Sequence, residues 1–394
     1  MKKKLLAILL CGVMVFSLAA CGSSSSSDDT DETEEETEAE EEEEEADSSD
    51  TVSSSDYASA DTDGDGELSD EELIAYCSDG METEIECEAI ELSLACSGTV
   101  DGTVMGDAIE YGIELLSEWT DGNFVITFYP GGELGGDTEL IEGVQMGSID
   151  IFTGAPSSQN GLIPETAVLD ICGLYEDIDT CNAVLKSFQD ELNTYYNEKG
   201  LELLTLYAPD VRILTTNKAI ESADDLQNLT IRTQENSYHM TFWSALGSNP
   251  TPLAFGELYI ALQQGTVDAQ ENPWASIYGA KLYEVQEYIT LTNHVPFMST
   301  YVTNQSTYES LSDEQRLALD QFIQFVETYQ LAGTDQDDAR MMEECIEYGC
   351  TVSEVSDDIK ELCLDAAQEV IDDLKEELDA DYVQSYVDAT GAYD

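Results

Sequence analysis

Alternating apolar and polar positions open the folded part of the chain. Residues 90–96 alternate with a period of two, which predicts a strand, whereas residues 104–119 carry apolar side chains at helical spacing. Residues 124–129 and 148–153 form two further apolar runs, and between them Asp137 is placed to cap another helix. Short loops between alternating strands and helices predict a parallel sheet with helices on both faces.

A second lobe is predicted in the middle of the chain. Residues 201–206 form another apolar run, and the Ala-Pro-Asp sequence after it marks a crossover into a lobe spanning about residues 211–295. From Ser312 onward the sequence is largely helical, with an amphipathic stretch at residues 359–378. The sequence therefore predicts an α/β fold with two lobes, a cleft between them and long C-terminal helices, occupying residues 84–394.

One stretch of the second lobe carries the chemistry of a binding site. Arg232 ends a short strand pattern, LTIR, and a proline-bracketed turn, NPTPLAF, leads to Phe255. A short helix then stops at Gly265, and a second strand pattern, TVDA, runs into QENP with Asn272. Arginine is rare here, with four in the whole chain, and its planar fork pairs with a carboxylate through two parallel hydrogen bonds. A fixed cation and an amide at neighbouring strand ends predict an anion site.

This stretch resembles the solute-binding proteins of TRAP transporters, which capture organic acids for a secondary transporter. The sequence GGELGGDTELIEGVQMGSIDI in the first lobe is also similar to that family. The resemblance implies a two-lobe, periplasmic-binding-protein-like fold, a small mono- or dicarboxylate ligand, and delivery to the membrane subunits of a TRAP transporter. It implies that the guanidinium of Arg232 grips the ligand carboxylate. The further ligand-binding residues that it suggests are Arg212, Asn272 and Phe255. Glu235 is added as a candidate because it lies just past Arg232.

Other interpretations stay open at this point. Arg232 could form an internal salt bridge, since carboxylates are abundant, and Glu235 could neutralise it or select a polar ligand group. The binding module could feed a sensor or receptor in place of a transporter. An enzyme is not expected, because His239 and His294 are the only histidines and neither belongs to a triad or zinc-type pattern.

Charge and the N-terminus place the protein outside the cytoplasmic membrane. The net charge of −72 excludes nucleic acid as a partner. Residues 1–20 read as a lipoprotein signal peptide, with three lysines, an apolar core and the sequence LAA before Cys21. Cys21 is the expected lipidation site and membrane attachment. Residues 21–56 are Ser, Asp, Glu and Thr with almost no large apolar residue, which predicts a disordered acidic tether.

A calcium-binding segment is predicted at residues 57–80. The sequence DTDGDGELSDEE, residues 61–72, fits the twelve-residue EF-hand loop, with Gly66 at the sharp turn. The alternative for this motif is a chance match in a highly acidic region. If the motif does bind calcium, an alternative function for the whole protein is that of a calcium-dependent surface lipoprotein. The expected Ca²⁺ ligands are Asp61, Asp63, Asp65, Glu67, Ser69 and Glu72.

Eight cysteines remain after Cys11 and Cys21 are set aside, an even number in a compartment where disulfides form. The pairs close enough in sequence to consider are Cys172 with Cys181, and Cys350 with Cys345 or Cys363. Buried free thiols are the equal alternative.

Overall fold

A computed structural model describes residues 56–175 and 177–391 of the chain. The predicted signal peptide, Cys21 and the acidic tether up to residue 55 lie outside the described residues. Within the described ranges, the helices include none that combines the length and the apolar character of a membrane span.

Eleven strands and eleven α-helices make up the described chain, with several short 3-10 turns between them. The strands are β1 (Ile90–Ala95), β2 (Phe124–Tyr129), β3 (Ile151–Gly154), β4 (Leu201–Val211), β5 (Ile213–Thr216), β6 (Thr230–Thr233), β7 (Asn249–Pro252), β8 (Ala269–Asn272), β9 (Tyr288–Leu291), β10 (Pro296–Asn304) and β11 (Thr351–Glu354). The helices are α1 (Asp70–Cys77), α2 (Val104–Trp119), α3 (Asp137–Gln145), α4 (Ile178–Glu198), α5 (Ser237–Ala245), α6 (Leu258–Gln263), α7 (Trp274–Gly279), α8 (Gln305–Ser310), α9 (Asp313–Tyr348), α10 (Asp357–Glu377) and α11 (Ala380–Thr390).

The first lobe is built on a five-stranded sheet with the order β2-β1-β3-β10-β4. The predicted strand–helix–strand pattern is confirmed, since β1 pairs in parallel with both β2 and β3. Two details differ from the sequence prediction. The third strand begins at Ile151 and not at residue 148, and the N-cap of α3 is Gly136, whose N–H donates to Glu139 at 2.9 Å. Asp137 is therefore the first residue of the helix and keeps its carboxylate for other contacts.

The second lobe is built on a six-stranded sheet with the order β11-β9-β5-β8-β6-β7. Strands β5 to β9 come from the predicted region, and β11 adds a strand from the C-terminal part of the chain. Five of the nine strand pairings across the two sheets are parallel, so both sheets are mixed. Within this sheet, the parallel pairs β6–β7 and β6–β8 place the end of β6, with Arg232, beside both neighbours.

Prolines lie within two strands of the structure, β4 and β7. Strand β4 continues through Pro209 to Val211, and β7 contains Pro250 and Pro252, where a turn was predicted. Both strands lie at the edge of their sheet, where a missing backbone N–H leaves no partner unsatisfied. The pairing of β4 with β10 also shifts register beside Pro209. As a result the chain enters the second lobe at Arg212, between β4 and β5, and not at the Ala-Pro-Asp sequence.

Long helices connect and cover the lobes, as predicted. Ser312 caps the N-terminus of helix α9 and accepts from the Gln315 N–H at 3.2 Å, and Gly349, with φ of 127°, follows the last residue of the helix. Its 36 residues span about 54 Å, so it packs on α2 and β4 of the first lobe and reaches α7 and β11 of the second. One buried cluster holds side chains from β3, β6, α5, α10 and α11 together, which joins the lobes through the C-terminal helices. The two-lobe α/β fold is confirmed.

The predicted calcium-binding segment is part of the first lobe. Tyr57, Leu73 and Cys77 are buried in the same apolar cluster as α2 and the first half of α9. The backbone of Leu68 exchanges two hydrogen bonds with the Gln336 side chain on α9, at 2.6 and 3.0 Å. Residues 57–77 are thus fixed to the folded body and do not extend from it.

The cysteines of the described chain are free thiols, six of them buried. The structure therefore shows the thiol alternative at the predicted pairs. Burial raises the pKa of Cys181 and of Cys172, which keeps these sulfurs in the unreactive thiol form.

Candidate functional site

A cavity of about 100 Å³ lies between the two lobes, at the crossing of the chain from one sheet to the other. The first lobe contributes the loop after β1, the start of α3 and the end of β3, and the second lobe contributes the ends of β6 and β8. The polar and aromatic side chains that line it are Ser97, Thr99, Thr103, Asp137, Thr153, Arg212, Arg232, Gln234, Phe255, Asn272, Ser276 and Phe297.

Arg232 is held on one side and open on the other. Its side chain is 2% exposed, and its Nε and Nη2 both donate to the Leu253 carbonyl, at 2.9 and 2.7 Å. Nη1 is buried without a hydrogen-bond partner, and the ring centroid of Phe255 lies 5.9 Å from the guanidinium carbon. A guanidinium has five N–H groups, so Nη1 and the second hydrogen of Nη2 can together face one carboxylate.

Arg232 forms no direct ion pair with any carboxylate of the described chain. No carboxylate oxygen of the described residues lies within 4.0 Å of its guanidinium nitrogens. Burial lowers the pKa of Arg232 to about 10, so the side chain is protonated at neutral pH. The internal salt bridge considered from the sequence is not present here. The arrangement is a buried cation with free donors facing a cavity, which is what an anion site requires.

Arg212 has a different role, because its charge is already paired. Its guanidinium donates to both carboxylate oxygens of Glu271, with the Nη2–Oε1 distance at 2.9 Å, and to the Asn272 side-chain oxygen at 3.0 Å. Burial alone would raise the pKa of Glu271, but Arg212 and two histidines hold it well below its usual value. The side chain of Asn272 also donates to Gln270 at 2.5 Å. Arg212 and Asn272 thus form a fixed wall of the cavity.

Both histidines belong to this buried network and not to a catalytic triad. His294 lies 3.3 Å from Glu271 Oε2, and His239 lies 3.9 Å from Glu271 Oε1. His239 Nε2 also contacts Asp170 Oδ1 at 3.2 Å, and Asp170 belongs to the first lobe, between β3 and α4. The His239 side chain therefore links a carboxylate of each lobe behind the cavity.

Further contacts cross between the lobes near the cavity. The Ser157 and Gln234 side chains hydrogen-bond at 2.9 Å, and Asn236 Nδ2 donates to the Ser157 carbonyl at 2.9 Å. On the other side, a Cβ atom at Gly279 would lie 2.6 Å from the Thr99 carbonyl oxygen. A glycine at the end of α7 is thus required for this close approach of the two lobes.

The structure brings four of the five predicted ligand-binding residues together around the cavity: Arg232, Arg212, Asn272 and Phe255. Glu235 is exposed and does not line the cavity. Gln234, which directly follows the end of β6, lines the cavity in its place. Sequence reasoning missed Asp137, Ser97 and Glu271. The available signal for Asp137 was its position after a glycine-rich turn at the start of a helix, which was interpreted only as a cap.

The predicted calcium loop places its acidic residues close together. One carboxylate oxygen from each of Asp61, Asp63 and Asp65 lies within 4.8 Å of the others. Gly66 has φ of 89°, the left-handed conformation expected at the sharp turn. Glu72 folds back over the loop, where Oε1 accepts from the Thr62 N–H at 2.8 Å. Oxygen donors at these positions are chemically suited to Ca²⁺.

We expect the contacts of His239 with Asp170 and Glu271 to make the free energy of unfolding depend on pH. Burial by itself lowers the pKa of His239, but Asp170 and Glu271 outweigh it and raise the pKa to about 9. A folded-state pKa above the usual 6.5 means that the stabilisation is complete below pH 6.5 and is lost as pH rises through 9. The free energy of unfolding should fall by up to about 3 kcal/mol over this window. Urea unfolding at a series of pH values measures it.

The control is His239→Gln, which removes the titrating imidazole and should reduce the fall in unfolding free energy between pH 6.5 and 9, where the buried thiols add a separate contribution near pH 9. His294→Gln is the matched second variant, since burial lowers the pKa of His294 and this side chain is neutral in the same window. If the unfolding free energy falls with pH equally steeply in wild type and in His239→Gln, the pH dependence does not come from His239.

Comparison with known proteins identifies the architecture. Residues 97–377 match the family model described as bacterial extracellular solute-binding protein, family 7. The chain is 30% identical over 241 residues to the 2,3-diketo-L-gulonate-binding periplasmic protein YiaO of Escherichia coli strain K12, covering 61% of this chain and 74% of that protein.

Two solved structures have the same fold. The sugar acid binding protein DctPAm from Advenella mimigardefordensis, in complex with galactonate, superposes with a TM-score of 0.74 at 26% identity, over 78% of this chain and 99% of that one. A TRAP periplasmic solute-binding protein from Roseobacter denitrificans with bound β-D-glucuronate gives a TM-score of 0.72 at 25% identity, over 76% and 99%.

The family model covers well over half of the chain, and it includes every strand of the two sheets except β1, together with the residues from Ser97 onward that line the interlobe cavity. This membership describes a solute-binding protein and not an enzyme. The chain belongs to family 7 of the bacterial extracellular solute-binding proteins.

Proposed function

We propose that this protein captures a small organic acid in the interlobe cavity and delivers it to a TRAP-type secondary transporter. The observation that carries the proposal is the buried guanidinium of Arg232, which has no ion-pair partner among the described residues and has a free Nη1 at the cavity wall. A ligand carboxylate at this position would supply the missing negative charge and accept the free hydrogen bonds. Relatives named for 2,3-diketo-L-gulonate, galactonate and glucuronate support an acid of this kind.

Capture requires a ligand that contacts both lobes, since only differential contact favours the closed state. The cavity meets this requirement because Arg232 belongs to the second lobe, whereas Ser97 and Thr153 belong to the first. The chain crosses between the lobes at Arg212 and again between β9 and β10, and these crossings are the natural hinge. Closure would bury the carboxylate beside Arg232, where its charge is poorly screened by salt.

Removal of the guanidinium should abolish most of the binding. Arg232→Ala should weaken binding of an organic acid by about 30-fold to more than 1,000-fold, because the ligand carboxylate loses its only buried partner charge. Arg232→Lys should also lose much of the affinity, since an ammonium cannot reproduce the fork. Calorimetry and thermal-shift measurements with a panel of sugar acids and other organic acids test both variants.

Arg316→Ala is the matched control for this test. Arg316 contacts Tyr308 on the first lobe and does not line the cavity, so its removal should leave ligand affinity unchanged. If an acid binds tightly to wild type and equally tightly to Arg232→Ala, the site is assigned to the wrong residue.

A sensor or receptor is the alternative destination of the bound ligand. The binding chemistry is the same in both cases, so the ligand-bound structure does not separate them. Uptake of the labelled ligand by cells lacking the gene does separate them, because loss of uptake supports a transporter and unchanged uptake supports a sensor. Attachment to the membrane through lipidated Cys21 is also proposed, from the lipobox pattern, and release of Cys21→Ser from the membrane fraction is its test.

We further propose that the loop of residues 61–72 binds one Ca²⁺ ion. Support comes from the grouped carboxylates of Asp61, Asp63 and Asp65 and from Glu72 at the closing position. Glu67 would contribute its carbonyl oxygen and Ser69 would act through water. Bound Ca²⁺ would neutralise part of this acidic loop and order the segment that contacts α9.

Glu72→Gln should weaken Ca²⁺ binding severely, because it removes the charge of the closing carboxylate. Glu71→Gln is the matched control, since Glu71 is exposed, adjacent and outside the ligand pattern. Calcium titration calorimetry on both variants decides the point. An unchanged isotherm for Glu72→Gln, above the weak background of the acidic tether, rules out the site.

A further inference from the structure

The interlobe cavity is lined by only three charged side chains among the described residues. Its charged side chains are Arg212, Arg232 and Asp137. The charge of Arg212 is used by Glu271 behind the wall, so it offers little to a ligand. This leaves one available cation, Arg232, and one acid, Asp137, in the same small cavity.

Asp137 forms the wall contributed by the first lobe. It is the first residue of α3, and the cap of that helix is provided by Gly136 and Glu139, so the Asp137 carboxylate is not needed for capping. Burial raises the pKa of Asp137, against the opposing pull of a Ser97 hydrogen bond and of Arg232. Asp137 and Arg232 line the same cavity and form no ion pair within 4.0 Å among the described residues, so neither charge is paired with the other.

We propose that the ligand is a monocarboxylate that also carries a hydroxyl or another hydrogen-bond donor, and that Asp137 receives this donor and excludes dicarboxylates. The inference rests on the proposed function and narrows it from mono- or dicarboxylic acids to one class. The carboxylate faces Arg232, and the donor faces Asp137 across the cavity. A second carboxylate at that end would meet a like charge, and no further unpaired cation of the cavity wall is available to hold it.

The preference for a monocarboxylate has two contributions, and only the repulsion by Asp137 depends on the charge of that residue. If Asp137 is ionised, it accepts a hydrogen bond from a hydroxyl and repels a carboxylate. If it is protonated, a second ligand carboxylate still enters a buried cavity with no second counter-charge, which is costly. In both states the monocarboxylate is the favoured ligand.

Matched pairs of acids test the proposal. D-Galactonate and galactarate share one carbon skeleton and differ in a terminal hydroxymethyl group against a second carboxylate, and 4-hydroxybutyrate and succinate form a shorter pair. Calorimetry on the wild-type protein should show at least one monocarboxylate bound at least about tenfold more tightly than its matched dicarboxylate. Equal or tighter binding of the dicarboxylate in each pair that binds overturns the proposal, as does a failure of all four acids to bind.

Asp137→Asn tests the residue itself. This variant keeps the size and the hydrogen-bonding capacity of the side chain but removes the charge, so the preference for the monocarboxylate should fall by about tenfold. Glu142→Gln is the control, because it makes the same charge change on the exposed face of α3. An unchanged preference in Asp137→Asn overturns the assignment. Binding that depends on Arg232 but not on Asp137 would leave the capture function intact and reject this inference alone.

Discussion

The buried guanidinium of Arg232 is the constraint on which the rest of the site depends. A cation that is 2% exposed and has no carboxylate within 4.0 Å among the described residues is costly for a protein to hold. The fold offsets part of this cost locally, because β6 ends beside the edge strand β7 and the Leu253 carbonyl that follows accepts two hydrogen bonds. A bound anion would offset the rest of this cost by pairing with the guanidinium.

The neighbouring charges are arranged so that they do not satisfy Arg232 from within. Glu271 is the nearest strong candidate for an internal partner, but Arg212 engages both of its oxygens. His294 adds a further hydrogen bond to the same carboxylate, and His239 lies 3.9 Å from it. Glu271 is therefore saturated, and the binding arginine stays available. The high acidity of the whole chain does not alter this, since distant surface charge is screened over about 8 Å at physiological salt.

Local patterning predicted much of the fold, and its failures have physical reasons. The bounds of α2 and β2 follow directly from apolar periodicity and are those of the structure. The extension of β4 through Pro209 could not be predicted, because tolerance of proline depends on the position of the strand at a sheet edge. The order of the strands in each sheet depends on contacts between residues far apart in the chain, so a short stretch of sequence does not predict it.

The candidate site also combines features that the local sequence indicates with features that only the packed fold reveals. Arg232 is visible in the sequence because arginine is rare and ends a strand pattern. The pairing of Arg212 with Glu271 is not visible, since it joins residues 59 positions apart, one directly before β5 and the other on β8, the antiparallel partner of β5. Asp137 belongs to the other lobe, so only the packed structure places it in the cavity with Arg232.

The docking of residues 57–77 on the first lobe has a mechanical consequence. Tyr57, Leu73 and Cys77 are buried with α2 and α9, so any pull on the N-terminal side of the chain acts on the first lobe. With the attachment at Cys21 proposed above, the first lobe would be the tethered part, and the second lobe, which carries Arg232, would move relative to it. Each ligand would then be gripped by the moving lobe against a lobe that stays near the membrane.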